Sequence, residues 1–252
     1  MTAWRPSPRP VSGRALTRWH QLLLALVFLT RLPLGRALPP RVLPLSDSLW
    51  AFPLVGALIG AVAALPLMLP GPPMLLAVLS VALAVWFTGA LHEDALADFA
   101  DAAGGRDRAE KLRIMRDSHI GSYGMMALLL STGVRIAAIG VLGPWQLIAA
   151  AAGGRAAIVA AAALLPPARP DGLGRTAGRA GAGALAVALA LGVLALLPSG
   201  GGAAWAALAG ALAAGLVMRQ AMRWIGGQSG DVLGACGLAC ETAMLAAFAL
   251  ST

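Results

Sequence analysis

Residues 77–105 read AVLSVALAVWFTGALHEDALADFADAAGG. An apolar run long enough to enter a bilayer passes straight into four acids, Glu93, Asp94, Asp98 and Asp101. Acidic clusters usually sit on solvated faces of soluble helices, and the rest of the chain rules that setting out. Of its 252 residues, 59% are hydrophobic and 12% are charged, against about 25% charged in a soluble domain. The stretch therefore reads as the end of a membrane span that delivers its carboxylates to a membrane surface. The expected fold class is all-α, a polytopic transmembrane helix bundle. Its spans are rich in Ala, Leu and Gly, small residues that let helices approach closely in lipid.

About 20 apolar residues cross a bilayer. Windows of that kind fall at 50–70, 73–92, 122–142, 145–165, 182–198, 204–222 and 232–251, which predicts seven spans. Segment 21–34, QLLLALVFLTRLPL, is shorter, contains Arg31 and breaks at Pro33, so it reads as an interfacial or re-entrant helix. The connections are of two kinds that alternate. Those at 70–73, 143–145 and 198–203 carry no charge, whereas 1–49, 93–121, 166–181 and 223–231 hold nearly all the Arg, Asp and Glu. The positive-inside rule places the charged set in the cytoplasm. Residues 1–18 then form a basic cytoplasmic tail, without a small-residue cleavage site. Residues 19–252 form one integral membrane domain whose chemistry lies on the cytoplasmic face, in an acidic motif at 92–121 and a C-terminal motif at 226–241.

The formal charge is +8, and all but one of the 19 basic residues are Arg. With a single Tyr and no stacking platform, no nucleic acid is expected as a partner. The Arg excess suits anionic lipid and a site for phosphate. Cys236 and Cys240, the only cysteines, lie four apart on an expected helix and read as packing rather than as a metal site, which would need more ligands.

Asp94, Asp98 and Asp101 are spaced i, i+4, i+7 and share an arc of about 60° on a helix. Neighbouring members lie about 6 Å apart, where two like charges cost about 3 kcal/mol at an effective dielectric near 20. Water, an Arg partner or a bound cation must offset this. Oxygen ligands on a rigid stripe suit Mg²⁺, which is held by a few carboxylates together with substrate phosphates. A proton site, or a solvated helix face leaving the membrane, are the competing readings. Glu93 lies about 100° off the stripe and is expected to be solvated.

The following segment carries Arg106, Arg108, Lys111, Arg113 and Arg116, then the run Arg116-Asp117-Ser118-His119-Ile120-Gly121 at the mouth of the next span. Arg beside a Ser-Gly turn makes a phosphate cradle. The Gly-rich turn GGQSGDVLGA at 226–235 sets Asp231 at the start of the last span. Glu241 within that span is a functional candidate because intramembrane carboxylates are costly. Arg135 and Arg155 also lie within spans, and either can pair with it.

TGALHEDALADFADAAGG together with IMRDSHIGSYG resembles the central signature of the adenosylcobinamide-GDP ribazoletransferase family, also called cobalamin 5′-phosphate synthase. The likeness continues in family order through FLTRLPLG (28–35), FPLVGALIGA (52–61), GGRAAIVAAA (153–162), ARPDGLG (168–174) and GGQSGDVLGA with Glu241. It departs from the family at Ala95 and Ala102, where Gly is usual, at Glu93 for Leu, and at Ser229 for Thr. The resemblance implies a Mg²⁺-dependent enzyme of the bacterial inner membrane. It joins adenosylcobinamide-GDP to α-ribazole or its 5′-phosphate, releases GMP, and completes the nucleotide loop of vitamin B12.

Carried onto this sequence, the resemblance implies Mg²⁺ on Asp94, Asp98, Asp101 and Asp117. Arg116 then stabilises the leaving charge, and the proton acceptor is Asp101, Asp117, or in their place His92 or His119. Arg113, Ser118, Gly121, Arg155, Asp231 and Glu241 are expected to contact substrate. The partners implied are the two substrates and the lipid bilayer, and a homo-oligomer is compatible with the chain. Two rival readings stand beside this one. A CDP-alcohol phosphotransferase of phospholipid synthesis is opposed by the lack of its Asp-Gly-x-x-Ala-Arg pattern. A cation or proton transporter is opposed by the clustering of the acids on one membrane face.

Overall fold

In a computed structural model the described residues are 17–39, 44–169 and 180–252. Most of the basic start and most of the 168–174 block lie outside them. Among the described residues ten α-helices follow in order: α1 Arg18–Leu29, α2 Phe52–Ala63, α3 Pro73–Thr88, α4 Leu91–Asp101, α5 Arg108–Ile114, α6 Ser122–Ile139, α7 Pro144–Leu164, α8 Ala182–Leu196, α9 Ala203–Ile225 and α10 Gly230–Ala249. A 3-10 turn, Leu45–Ala51, runs directly into α2. Among the described residues, six helical stretches are long and apolar enough to cross a membrane: Leu45–Ala63, α6, α7, Ala182–Ser199, α9 and α10. α3 joined to α4 makes a seventh only as a pair bent by 90°.

The expected spans therefore fall on helices, with one correction. The window 73–92 does not end smoothly at 92. α3 stops at Thr88, and Gly89 and Ala90 both take left-handed backbone conformations, φ 70° and 60°. Two successive left-handed residues turn the chain sharply, and an Ala there costs about 1–2 kcal/mol. α3 and α4 are thus the two arms of one broken apolar stretch, bent by 90°. α1, twelve residues long, is about 18 Å and too short for a hydrocarbon core of about 30 Å. Its end docks at the bend, where the Arg31 N–H donates to the Phe87 carbonyl at 2.9 Å.

α7 and α10 are the most enclosed helices; α8 and α9 lie at the lipid-facing periphery. Backbones meet where side chains are small. A Cβ on Gly56 would lie 2.5 Å from the Ala151 carbonyl oxygen, and one on Gly154 would lie 2.7 Å from that of Gly237. α2, α7 and α10 thus form a layered centre, as expected where lipid supplies no hydrophobic drive and close packing must hold helices together. Cys236 and Cys240 are buried within this centre, as unpaired thiols. Outward sides carry Leu129, Leu130, Leu212 and Leu216, all exposed. Exposed Trp145 and Trp205 mark the uncharged face and Trp19 and Trp86 the charged one, the interfacial placement that Trp favours.

Candidate active site

The aspartate stripe forms a helix face as its spacing predicts, but its three members do different things. Asp101 is buried and turned toward the start of α6. Its carboxylate accepts the Gly121 N–H at 2.7 Å and the Gly124 N–H at 2.8 Å. It thereby satisfies two of the donors that a helix N-terminus leaves open. Both partners are necessarily Gly: a Cβ on Gly121 would lie 2.5 Å from Asp101 Oδ1, and one on Gly124 would collide with Oδ2. Among the described residues, no hydrogen bond or ion pair engages the carboxylate of Asp94 or of Asp98. Asp94 is exposed and Asp98 half-buried.

Asp231 joins these two from the other end of the chain. It lies in the first turn of α10, where Ser229 caps the helix by accepting the Val232 N–H at 3.4 Å and donates to Asp231 Oδ2 at 3.1 Å. A Thr hydroxyl would serve equally, so the Ser at this position keeps the cap. The preceding turn is pinned to the 166–168 segment. The Gln228 N–H donates to the Pro166 carbonyl, and the Ala168 N–H donates to the Gln228 carbonyl, each at 2.8 Å. α4 and α10 approach closely because Gly234 sits against the Ala95 methyl with no room for a side chain. Ala95 thus packs between helices.

Burial and repulsion act together on Asp98. Burial first, then the charges of Asp94, Asp231 and Asp101, push its carboxyl up to about 7. Uncompensated carboxylates with lone pairs free are the donor set a hard divalent cation takes. Among the described residues, no three His, Cys, Asp or Glu side chains converge closely enough to hold an ion as they stand.

The basic segment is divided in the same way. α5 is bolted to the bundle by its cations. Arg108 donates to the Ile225 and Ala168 carbonyls at 2.9 and 2.6 Å. Lys111 donates to the Ala102 carbonyl at 3.0 Å and lies 4.8 Å from the centre of the Trp224 ring. Arg169 donates to the Leu112 carbonyl at 2.8 Å. Arg113, Arg116, Asp117, Ser118 and His119 are exposed, on the last turn of α5 and the loop into α6. Asp117 accepts from His119 at 2.7 Å, and that bond holds its carboxyl below the usual carboxylate range.

One turn deeper lies a second charge cluster. Arg135 on α6 donates to Glu93 at 2.7 Å and reaches Glu241 at 3.6 Å, while Arg155 on α7 pairs with the other Glu241 oxygen. Glu241 thus bridges the two arginines, and the expectation of a solvated Glu93 is overturned. The bend at 89–90 turns that side of α4 into the bundle, where Arg135 awaits a partner. Arg155 and Glu241, expected at the substrate, are spent on each other.

His92 is the third buried polar group, 3% exposed. It lies close enough to Arg155 and Arg135 to feel their charges. Among the described residues neither of its ring nitrogens has a hydrogen-bond partner. It lines a cavity of about 170 Å³ between α1, the 45–51 turn, α2, α7, α4 and α10, with Asp94 and Asp231 also on its wall. His119, by contrast, stands in solvent.

Sequence spacing put Asp94 and Asp98 on one helix face but missed the cap at Asp101 and the pairing of Glu93 with Arg135. A signal for the cap was present: glycines three apart opening a span, preceded by a carboxylate with no basic neighbour in its turn. No local signal brings Asp231 to Asp94.

The family model for cobalamin-5-phosphate synthase matches residues 21–249. A protein of Bradyrhizobium diazoefficiens named adenosylcobinamide-GDP ribazoletransferase is 43% identical over 226 residues, covering 85% of this chain and 87% of its own. Proteins of the same name from Xanthobacter autotrophicus (46%, covering 86% and 90%) and Mesorhizobium japonicum (41%, covering 91% and 93%) are similar along the same length. No solved structure matches.

Proposed function

From the premise that the chain belongs to the cobalamin-5-phosphate synthase family, we propose that it joins adenosylcobinamide-GDP to α-ribazole or its 5′-phosphate and releases GMP. The proposal includes Mg²⁺ dependence and a site on the cytoplasmic face of a bacterial inner membrane. The observation that carries the site is the placing of Asp94 on α4 and Asp231 on α10 on the wall of one cavity, with Asp98 one turn along α4.

Asp94, Asp98 and Asp231 would hold the ion together with the substrate's diphosphate, since the three carboxylates as they stand do not close around one. When bound, Mg²⁺ neutralises the diphosphate and the charge that develops on the leaving phosphate. With α4 along the membrane face, its carboxylates would meet the diphosphate from the aqueous side while the corrinoid stays at the interface. Arg113 and Arg116, exposed on the loop before α6, supply forked donors to phosphate oxygens. Asp101 fixes the start of α6 and, through it, the height of that loop over the stripe. The ribose 3′-hydroxyl oxygen bonds to the phosphorus on the cobinamide side, the bridging P–O bond to GMP breaks, and the hydroxyl proton is released.

The test is a product assay in nanodiscs with adenosylcobinamide-GDP, α-ribazole and Mg²⁺. GMP and a cobalamin spectrum from the wild type, and neither from Asp94→Asn, are expected. Wild type that is folded and releases no GMP would overturn the reading.

A further inference from the structure

We propose that the outward stripe of α9 is a binding site for an anionic phospholipid, whose phosphate sits between Arg219 and Arg223 and whose acyl chains lie along Leu216 and Leu212. The inference is independent of the reaction proposed above and concerns the opposite surface of α9 from the bundle.

α9 is sharply two-sided. Ala206, Gly210, Ala214, Ala221 and Ile225 are buried, and at 3.6 residues per turn they share one arc of about 100°. Gly210 lets this side seat on α10, since a Cβ there would lie 2.6 Å from Met244 Cγ. Directly opposite stand Trp205, Leu208, Leu212, Leu216, Arg219 and Arg223, all exposed and within an arc of about 80°. The stripe therefore faces away from the protein.

Its length fits one crossing. From Trp205 to Arg223 the helix rises about 27 Å, against a hydrocarbon thickness of about 30 Å. With Trp205 at the uncharged interface, Arg223 reaches the other one and Arg219 lies about 6 Å inside it. Arg side chains snorkel toward the headgroups, yet a guanidinium facing lipid at that depth still needs a counter-charge. α9 contains no acid. Among the described residues no hydrogen bond or ion pair engages either side chain, whereas Arg106, Arg108, Arg135, Arg155 and Arg169 are all engaged.

Charge names the occupant. Two guanidiniums one turn apart offer forked donors matched to phosphate oxygens. A phospholipid brings its phosphate to that level and lays its acyl chains down the apolar part of the same stripe. An anionic headgroup leaves the phosphate uncompensated, whereas choline supplies its own cation. A second copy of this chain fits the stripe poorly. Two chains inserted alike would set Arg219 and Arg223 level with their counterparts, like charge against like.

The experiment is native mass spectrometry of protein released from nanodiscs of equal parts phosphatidylglycerol and phosphatidylcholine. Wild type is expected to retain phosphatidylglycerol over phosphatidylcholine by roughly tenfold. Arg219→Gln with Arg223→Gln should abolish the preference, and Arg219→Lys with Arg223→Lys, which keeps charge without the fork, should retain part of it. Arg36→Gln with Arg106→Gln, which removes the same charge from exposed positions elsewhere, should leave it intact. Equal retention of the two lipids by wild type would overturn the site, as would a loss of preference in the Arg36 and Arg106 variant as large as in the Arg219 and Arg223 one. Displacement of the lipid by its free headgroup, glycerophosphoglycerol, would assign the two arginines to a soluble phosphate. A wild-type dimer that Arg219→Gln with Arg223→Gln dissolves would give the stripe to a second copy. Either result overturns the lipid assignment.

Discussion

Glu93 and Asp94 are neighbours on one helix and belong to opposite electrostatic regimes. Glu93 points inward to Arg135, within a set of two carboxylates and two guanidiniums that sums to zero charge. Asp94 points outward to a mouth where burial first, and then the charges of acids from α4 and α10, push the Asp98 carboxyl up to about 7. The difference teaches what each is for. A compensated cluster deep in a bundle fixes how helices meet. An uncompensated cluster at a membrane face is held apart by the same scaffold and awaits a counter-charge.

The comparison can be broken most severely from the inside. Glu241→Ala leaves Arg155 without its carboxylate in the bundle, while Arg135 keeps Glu93, and is expected to destabilise the protein by about 3–5 kcal/mol, read as a fall in thermal midpoint in nanodiscs. Replacing both members of its closest pair, Glu241→Leu with Arg155→Leu, should recover much of that loss. A double variant no better than the single would deny the pairing.

Next come Asp94→Asn and Asp231→Asn. Each removes a repelling charge, so stability should hold or rise. GMP release should fall about a hundredfold or more, the several kcal/mol that metal-borne charge stabilisation supplies. Full activity in either would remove it from the ion site.

Asp101 sharpens the boundary between the two regimes. Asp101→Ala strips the cap from α6 and should cost about 1–2 kcal/mol, and Gly124→Ala, which drives the carboxylate away, should mimic it. If Asp101→Ala left thermal stability untouched and abolished turnover, Asp101 would belong to the reaction and not to the helix.

The smallest effect is on pH. The folded protein holds the Asp98 proton more tightly than an unfolded chain, from 3.8 up to about 7. Ionising it therefore opposes folding as pH rises through that window. Mg²⁺ competes with the same proton, so apparent affinity should rise with pH by up to about tenfold per unit and level off above about 7. Asp98→Asn should flatten the profile, as followed by Mg²⁺ titration of GMP release.

Much of this was legible in one dimension. A bilayer of fixed thickness imposes span length, and uncharged turns alternate with Arg-bearing ones, so the crossings read directly from composition. The i, i+4, i+7 spacing puts Asp94 and Asp98 on one face wherever that helix lies. The bend was not legible. It rests on a left-handed Ala90, a conformation no sequence rule assigns to Ala, and it decides that Glu93 turns inward. Nor could spacing tell that Asp101 leaves its stripe for two N–H groups at 121 and 124, since the carboxylate's choice depends on where α6 begins in space.

The sequence by itself determined the all-helical membrane class, where most span-length helices lie, which connections carry charge, and that Asp94 and Asp98 share one helix face, because each follows from periodicity or from the cost of charge in lipid. Only the tertiary structure decided which acids are compensated and which are free. That choice depends on α10 delivering Asp231 and Glu241, and α6 delivering Arg135, to successive levels of α4, a matter of packing between segments far apart in the chain.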